Sequence, residues 1–134
     1  MVHLDEGDNV YISEDLVGYA QKLKNDGVVP RQIDLLLLGF AYAVEKGISP
    51  LEKMTRKDMA RAIIIDKDLR IAVEATAAWH AKQIGAPVPD DDKKLLDFIC
   101  RLGSAGVQTL QKEWEGKSRS QIALSVLKLA ANGR

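Results

Sequence analysis

The chain has 134 residues, enough for a single domain to bury its own core without metal or disulfide support. Its 19 basic and 19 acidic side chains cancel, which excludes a global field drawing it to nucleic acid or to an anionic membrane. The single Cys100 excludes an internal disulfide. With no basic stretch, apolar run and cleavage site at the amino terminus, a cytoplasmic, reducing address is the expectation. The charge is nonetheless uneven: up to Ser49 the acids outnumber the bases, and the segment after Glu115 carries Lys117, Arg119, Lys128 and Arg134 with no acid.

In the first twelve residues Val10 and Ile12 alternate with Asn9 and Tyr11, the pattern of a short strand with one buried face. Ser13, followed by Glu14 and Asp15, then opens a helix over about 14–25, with Ile12 and Val17 at staple positions and Gly27 as the left-handed stop. Pro30 fits the first turn of a second helix and Gly47 its terminator, with Ile48 folding back on Ala43 or Val44. Between them Ile33 to Val44 is apolar on nearly every side. A helix of that kind must be enclosed by others, and it is too short and too closely bracketed by Asp34, Glu45 and Lys46 to cross a bilayer.

Ser49-Pro50-Leu51-Glu52 and Thr55-Arg56-Lys57-Asp58 both match a hydroxyl cap answered by a carboxylate, which predicts a short turn and then a helix near 56–65. Asp66 caps a segment in which Leu69, Ala72, Val73, Thr76, Ala77 and Ile84 recur at helical spacing. Whether 56–84 is one helix or two is open at this level. After Pro87-Val88-Pro89, Asp90 caps a helix with a face of Leu95, Phe98, Ile99, Leu102, Val107 and Leu110, ending near Gly116. Gly103 and Gly106 each cost about 1 kcal/mol in a helix interior, so that helix either breaks there or is crossed closely by another. Ser118 with Gln121 opens a last helix that buries Ile122, Leu124, Val126, Leu127 and Leu129. The whole reads as one domain over 1–134: a mainly α, compact multi-helix bundle around a buried central helix, with a short strand or arm over 1–12.

Chemistry-bearing patterns are sparse. His3 stands near the terminus, and His80 follows Trp79 with no second ligand at metal spacing, so Trp79 and His80 read as packing and surface residues. Cys100, between Ile99 and Arg101, reads as a buried structural thiol. Asp90-Asp91-Asp92 lacks the spacing of a calcium loop and reads as capping. No phosphate-cradling glycine loop occurs. No enzyme, cofactor or metal is therefore expected. Two basic groups remain, Lys53, Arg56, Lys57, Arg61, Lys67 and Arg70 in one, interleaved with acids, and Lys117, Arg119, Lys128 and Arg134 in the other. Lys53, Arg56, Lys57, Arg61, Lys117, Arg119 and Lys128 are the positions to test for nucleic-acid contact, with ordinary solvation ranked ahead. A strand before two helices also outlines the ribbon-helix-helix dimer, but Asp5, Glu6 and Asp8 beside Asn9 and Tyr11 would repel phosphates. A strand that covers the core or pairs across a dimer ranks first.

Three segments carry a resemblance to a family. Asp34 to Ala43 (DLLLLGFAYA), Asp66 to Ala72 (DKDLRIA) and Phe98 to Glu113 (FICRLGSAGVQTLQKE) resemble the helices of the DNA phosphorothioation-associated protein 4 family, small accessory proteins of bacterial DNA phosphorothioation operons. The resemblance spans most of the chain and implies a place in a modification or antiphage restriction system, with no catalytic residues to carry over. The expected function is a non-enzymatic adaptor docking to a larger protein of the same system, without membrane contact and with homodimer formation open. Tyr11, Tyr19, Trp79 and Trp114 are its nominated anchors, since interface hot spots favour Tyr and Trp, although each also suits a core. The alternative is a DNA-binding transcriptional regulator using the strand or the basic carboxy-terminal helix.

Overall fold

A computed structural model describes residues 2–132, with side chains described through Leu129; Arg134 of the basic tail lies outside the described residues. The protein is mostly helical. In chain order it contains β1 (Asn9–Ser13), a 3-10 turn (Glu14–Leu16), α1 (Val17–Asn25), α2 (Gln32–Lys46), β2 (Arg56–Arg61), a second 3-10 turn (Ala62–Ile64), α3 (Lys67–Gln83), α4 (Asp92–Glu113) and α5 (Arg119–Asn132). No helix among the described residues is long and apolar enough to cross a membrane.

The centre of the molecule is the crossing of α2 and α4. Gly39 meets Gly103 and Gly106 so closely that a Cβ on Gly106 would lie 1.8 Å from the Gly39 carbonyl oxygen, and one on Gly39 would lie 2.5 Å from that of Gly103. Helix α4 therefore runs unbroken from Asp92 to Glu113, and its two glycines serve the close-approach alternative. Leu35, Leu36, Leu102 and Val107 are fully buried around this contact. The opposite side of α2 is not enclosed: Leu37, Leu38 and Val44 are half-buried and Ala41 is exposed. An apolar run can thus leave one stripe uncovered, because enclosure depends on what the rest of the chain brings over it.

The ends of α2 follow local rules with one shift. Gly47 terminates the helix at φ +67°, and the Ile48 amide reaches back to the Ala43 carbonyl at 2.9 Å. At the start, Arg31 is the cap, its amide donating to Asp34 at 3.0 Å, so Pro30 stands just ahead of the cap instead of in the first turn.

The helix expected near 56–65 does not form. Arg56–Arg61 is strand β2, antiparallel to β1 with Ile12 opposite Lys57 and Val10 opposite Ala60; the register shifts between Val10 and Tyr11, where β2 carries the extra residue Met59 as a bulge. The Thr55 carbonyl accepts from the Glu14 amide at 2.8 Å, which draws this segment alongside β1. Tertiary pairing has overridden a local capping pattern. Ser49-Pro50-Leu51-Glu52 likewise lies in irregular chain, and α3 is one helix over Lys67–Gln83.

Strand β1 is buried more fully than alternation suggests, since Tyr11 and Ser13 are enclosed together with Val10 and Ile12. The cause is α4. The Tyr11 amide donates to Cys100 Sγ at 3.4 Å and the Ser13 amide to Ser104 Oγ at 3.1 Å, so β1 has β2 on one edge and α4 on the other. Among the described residues both edges of β1 are thus occupied within the chain.

Asp66 caps α3 as expected, accepting from the Leu69 amide. The cap of α4 is Asp91, which accepts from the Lys94 amide at 2.8 Å; Asp90 instead pairs with the Lys94 ammonium at 2.9 Å. Ser118 and Gln121 cap α5 reciprocally, at 2.8 and 3.2 Å. Of the residues expected to bury on α5, Ile122 does, Val126 and Leu129 do so in part, and Leu124 and Leu127 stay 53% and 66% exposed.

Candidate interaction surfaces

Helix α3 departs most from the sequence reading. Its nominated apolar face is only half right: Val73 and Ala77 are buried, while Leu69, at 45% exposure, and Ala72 are outside. The inner face carries Arg70, Glu74 and His80 instead. Each is satisfied by a segment that the helix clamps. Glu74 accepts from the Leu4 amide at 2.7 Å and meets the His3 ring at 2.8 Å, fastening the amino-terminal segment. Arg70 donates to the Ala62 carbonyl and to Glu6, both at 3.3 Å. His80 Nε2 lies 2.8 Å from the Ile48 carbonyl; a carbonyl can only accept, so Nε2 carries the proton. Buried polar groups are tolerated when partnered, and apart from Ala62, eight residues before Arg70, these partners lie far away in sequence. No local pattern could have announced them.

The four nominated aromatic anchors separate. Tyr11 and Trp114 are each 4% exposed and belong to the core, which takes them out of docking. Tyr11 also donates its hydroxyl to Asp97 at 2.5 Å and has the Arg56 guanidinium 4.2 Å from its ring centre, so one nominated anchor and one nominated nucleic-acid contact have each other as partners. Tyr19 is half-buried beside Trp114 and Ile122, and its hydroxyl has no hydrogen-bond partner among the described residues. Trp79 is 54% exposed.

The basic residues lie in two places. Lys53, Arg56, Lys57 and Arg61 are on β2 and the loop entering it, and Lys117, Arg119 and Lys128 are on α5 and its entry; all are exposed. Arg56 is further engaged by Asp58 at 2.8 Å.

Deprotonation is disfavoured at Cys100, Tyr11, Tyr19 and Tyr42. Burial pushes the Cys100 thiol up to about 12. Burial and then the hydrogen bond to Asp97 raise the Tyr11 phenol far above its ordinary range. Burial also raises Tyr19 to about 12, and burial with the Glu113 hydrogen bond does the same for Tyr42. Asp5, Asp8 and Asp92 bring carboxylate oxygens within 4.8 Å of one another, but Lys93 already supplies a cation to the buried Asp8 carboxylate.

One open concavity is mainly apolar. A groove of about 560 Å³ runs between α2, α3 and α5, lined by Leu37, Leu38, Ala41, Val44, Leu69 and Leu129 among others, with Glu45 as its charged member. No family model, curated protein or solved structure matches this chain. The groove and the outward faces of α3 and α5 are surfaces that sequence periodicity missed, because it assigned Leu69, Leu124 and Leu127 to the core.

Proposed function

We propose that this protein is a compact helical-bundle adaptor, without catalytic activity of its own, that docks to a larger protein of a prokaryotic DNA phosphorothioation-linked modification or restriction system. The operon context rests on the resemblance of the three helical segments. The docking reading is supported by one observation, the solvent-open groove lined by Leu37, Leu38, Ala41 and Val44 of α2. A concave apolar surface of this kind suits an apolar helix or loop of a partner.

The test is binding of the purified chain to the purified proteins of such a system, by co-elution and calorimetry. Wild type is expected to bind one of them, and Ala41→Glu, at an exposed position in the groove, to bind at least ten-fold more weakly with an unchanged circular dichroism spectrum. No binding to any component, or binding indifferent to Ala41→Glu, refutes the reading. Anisotropy with plain and phosphorothioated duplexes at several salt concentrations runs alongside. Affinity falling steeply with log salt would show phosphate contacts and favour a DNA-binding regulator instead.

A further inference from the structure

Helix α3 buries Arg70, Glu74 and His80 along with Val73, Ala77 and Ala81, leaves Ile71 and Trp79 exposed, and has a self-complementary outer face. At 3.6 residues per turn, Ala75 lies at the centre of the arc opposite the buried Arg70, Val73, Glu74 and Ala77. Within about 60° of Ala75 on either side the helix places Asp68, Ile71, Ala72, Ala78, Trp79 and Lys82. All are exposed except Ala78, which is half-buried. Between Asp68 and Lys82 this arc holds no charge, and Ile71 and Trp79 are 40% and 54% exposed on it. Neither Asp68 nor Lys82 has an ion-pair partner among the described residues.

We propose that this face binds a second copy of the same chain, α3 against α3 and antiparallel, with a two-fold axis through Ala75. In that arrangement residues equidistant from Ala75 on the two helices meet. Asp68 of one copy meets Lys82 of the other, Ile71 meets Trp79, Ala72 meets Ala78, and Ala75 meets itself. A two-fold interface must be self-complementary in this way. The charges match at both ends, each large apolar side chain faces another, and the alanines in the middle let the helices approach to the close end of ordinary packing distances. The parallel alignment fails, because it would set Asp68 against Asp68 and Lys82 against Lys82. One helix pair is small for a protein interface, so the dimer is reversible, with a Kd on the order of tens of micromolar.

Sedimentation velocity of the full chain, from low micromolar to several hundred micromolar, tests this. Wild type is expected to shift from monomer to dimer over that range. Ala75→Glu, which puts two carboxylates on the axis, is expected to remain monomeric throughout. Asp68→Lys and Lys82→Asp are each expected to weaken self-association about ten-fold through like-charge contacts at both ends. An equimolar mixture of the two is expected to regain the wild-type Kd as a heterodimer, because both end pairs are then opposite in sign. That recovery cannot come from a misfolded variant. A wild-type protein monomeric at the highest concentration, a dimer indifferent to Ala75→Glu, or a mixture that associates no better than its components would each overturn the proposal.

Discussion

Replacing Gly106 by alanine is expected to destabilise the protein strongly, although alanine is the better helix former. The new Cβ would lie 1.8 Å from the Gly39 carbonyl oxygen and 2.5 Å from its carbon, where real Cβ atoms keep at least 3.0 Å. The obstacle is backbone, so no side-chain rotation relieves it, and α2 and α4 must separate by more than an ångström. A gap of that size forfeits about a quarter to a half of each affected dispersion contact, and Leu36 and Val107 are packed at this crossing. Added to an overpacking cost of about 3 kcal/mol, and less about 1 kcal/mol of helix propensity gained, this leaves a net loss of about 3 kcal/mol or more. That is a large part of an ordinary domain's stability of about 5–15 kcal/mol. Urea denaturation followed by far-ultraviolet circular dichroism measures it. Gly18→Ala is the control, since Gly18 is exposed on α1 with nothing within 4 Å of an added Cβ. It is expected to gain about 0.5 kcal/mol from backbone entropy. Should Gly106→Ala fall within about 1 kcal/mol of wild type, the helices have slack and the backbone-to-backbone crossing is refuted.

Three further outcomes are expected. Asp91→Ala costs about 1 kcal/mol by removing the side-chain cap of α4, whereas Asp90→Ala leaves stability close to unchanged; thermal melts of the two separate the roles that the sequence alone assigned to Asp90. Glu74→Ala leaves the buried Leu4 amide without an acceptor, costs about 2 kcal/mol, and exposes residues 2–8 to proteolysis before the remainder unfolds; equal cleavage rates in variant and wild type would contradict the clamp. Stability falls as pH rises from about 9 toward 12, because the unfolded chain releases the Cys100 proton near its ordinary value while the folded chain holds it up to about 12. Tyr19 and Tyr42, each raised to about 12, steepen the decline in the same direction. Urea titrations across that range report it, and a flat profile would argue that Cys100 is accessible. Reaction with a thiol reagent near neutral pH should likewise require unfolding.

By itself the sequence determined the elements whose cause is local. The helix at Ile33 to Val44, its stop at Gly47, the Asp66 cap, the reciprocal Ser118 and Gln121 cap, and the need for either a break or a close crossing at Gly103 and Gly106 all follow from apolar spacing, caps and glycine. Only the tertiary structure decided that Arg56–Arg61 is a strand, since nothing in those residues favours one except β1 lying alongside. It also decided that α3 turns Arg70, Glu74 and His80 inward and leaves Leu69 and Ala72 outside. Periodicity counts apolar residues and sends them to the core, but a charged side chain is stable inside when distant backbone groups satisfy it. Leu4 and Ile48 supply such groups to Glu74 and His80, and only folding brings them to α3.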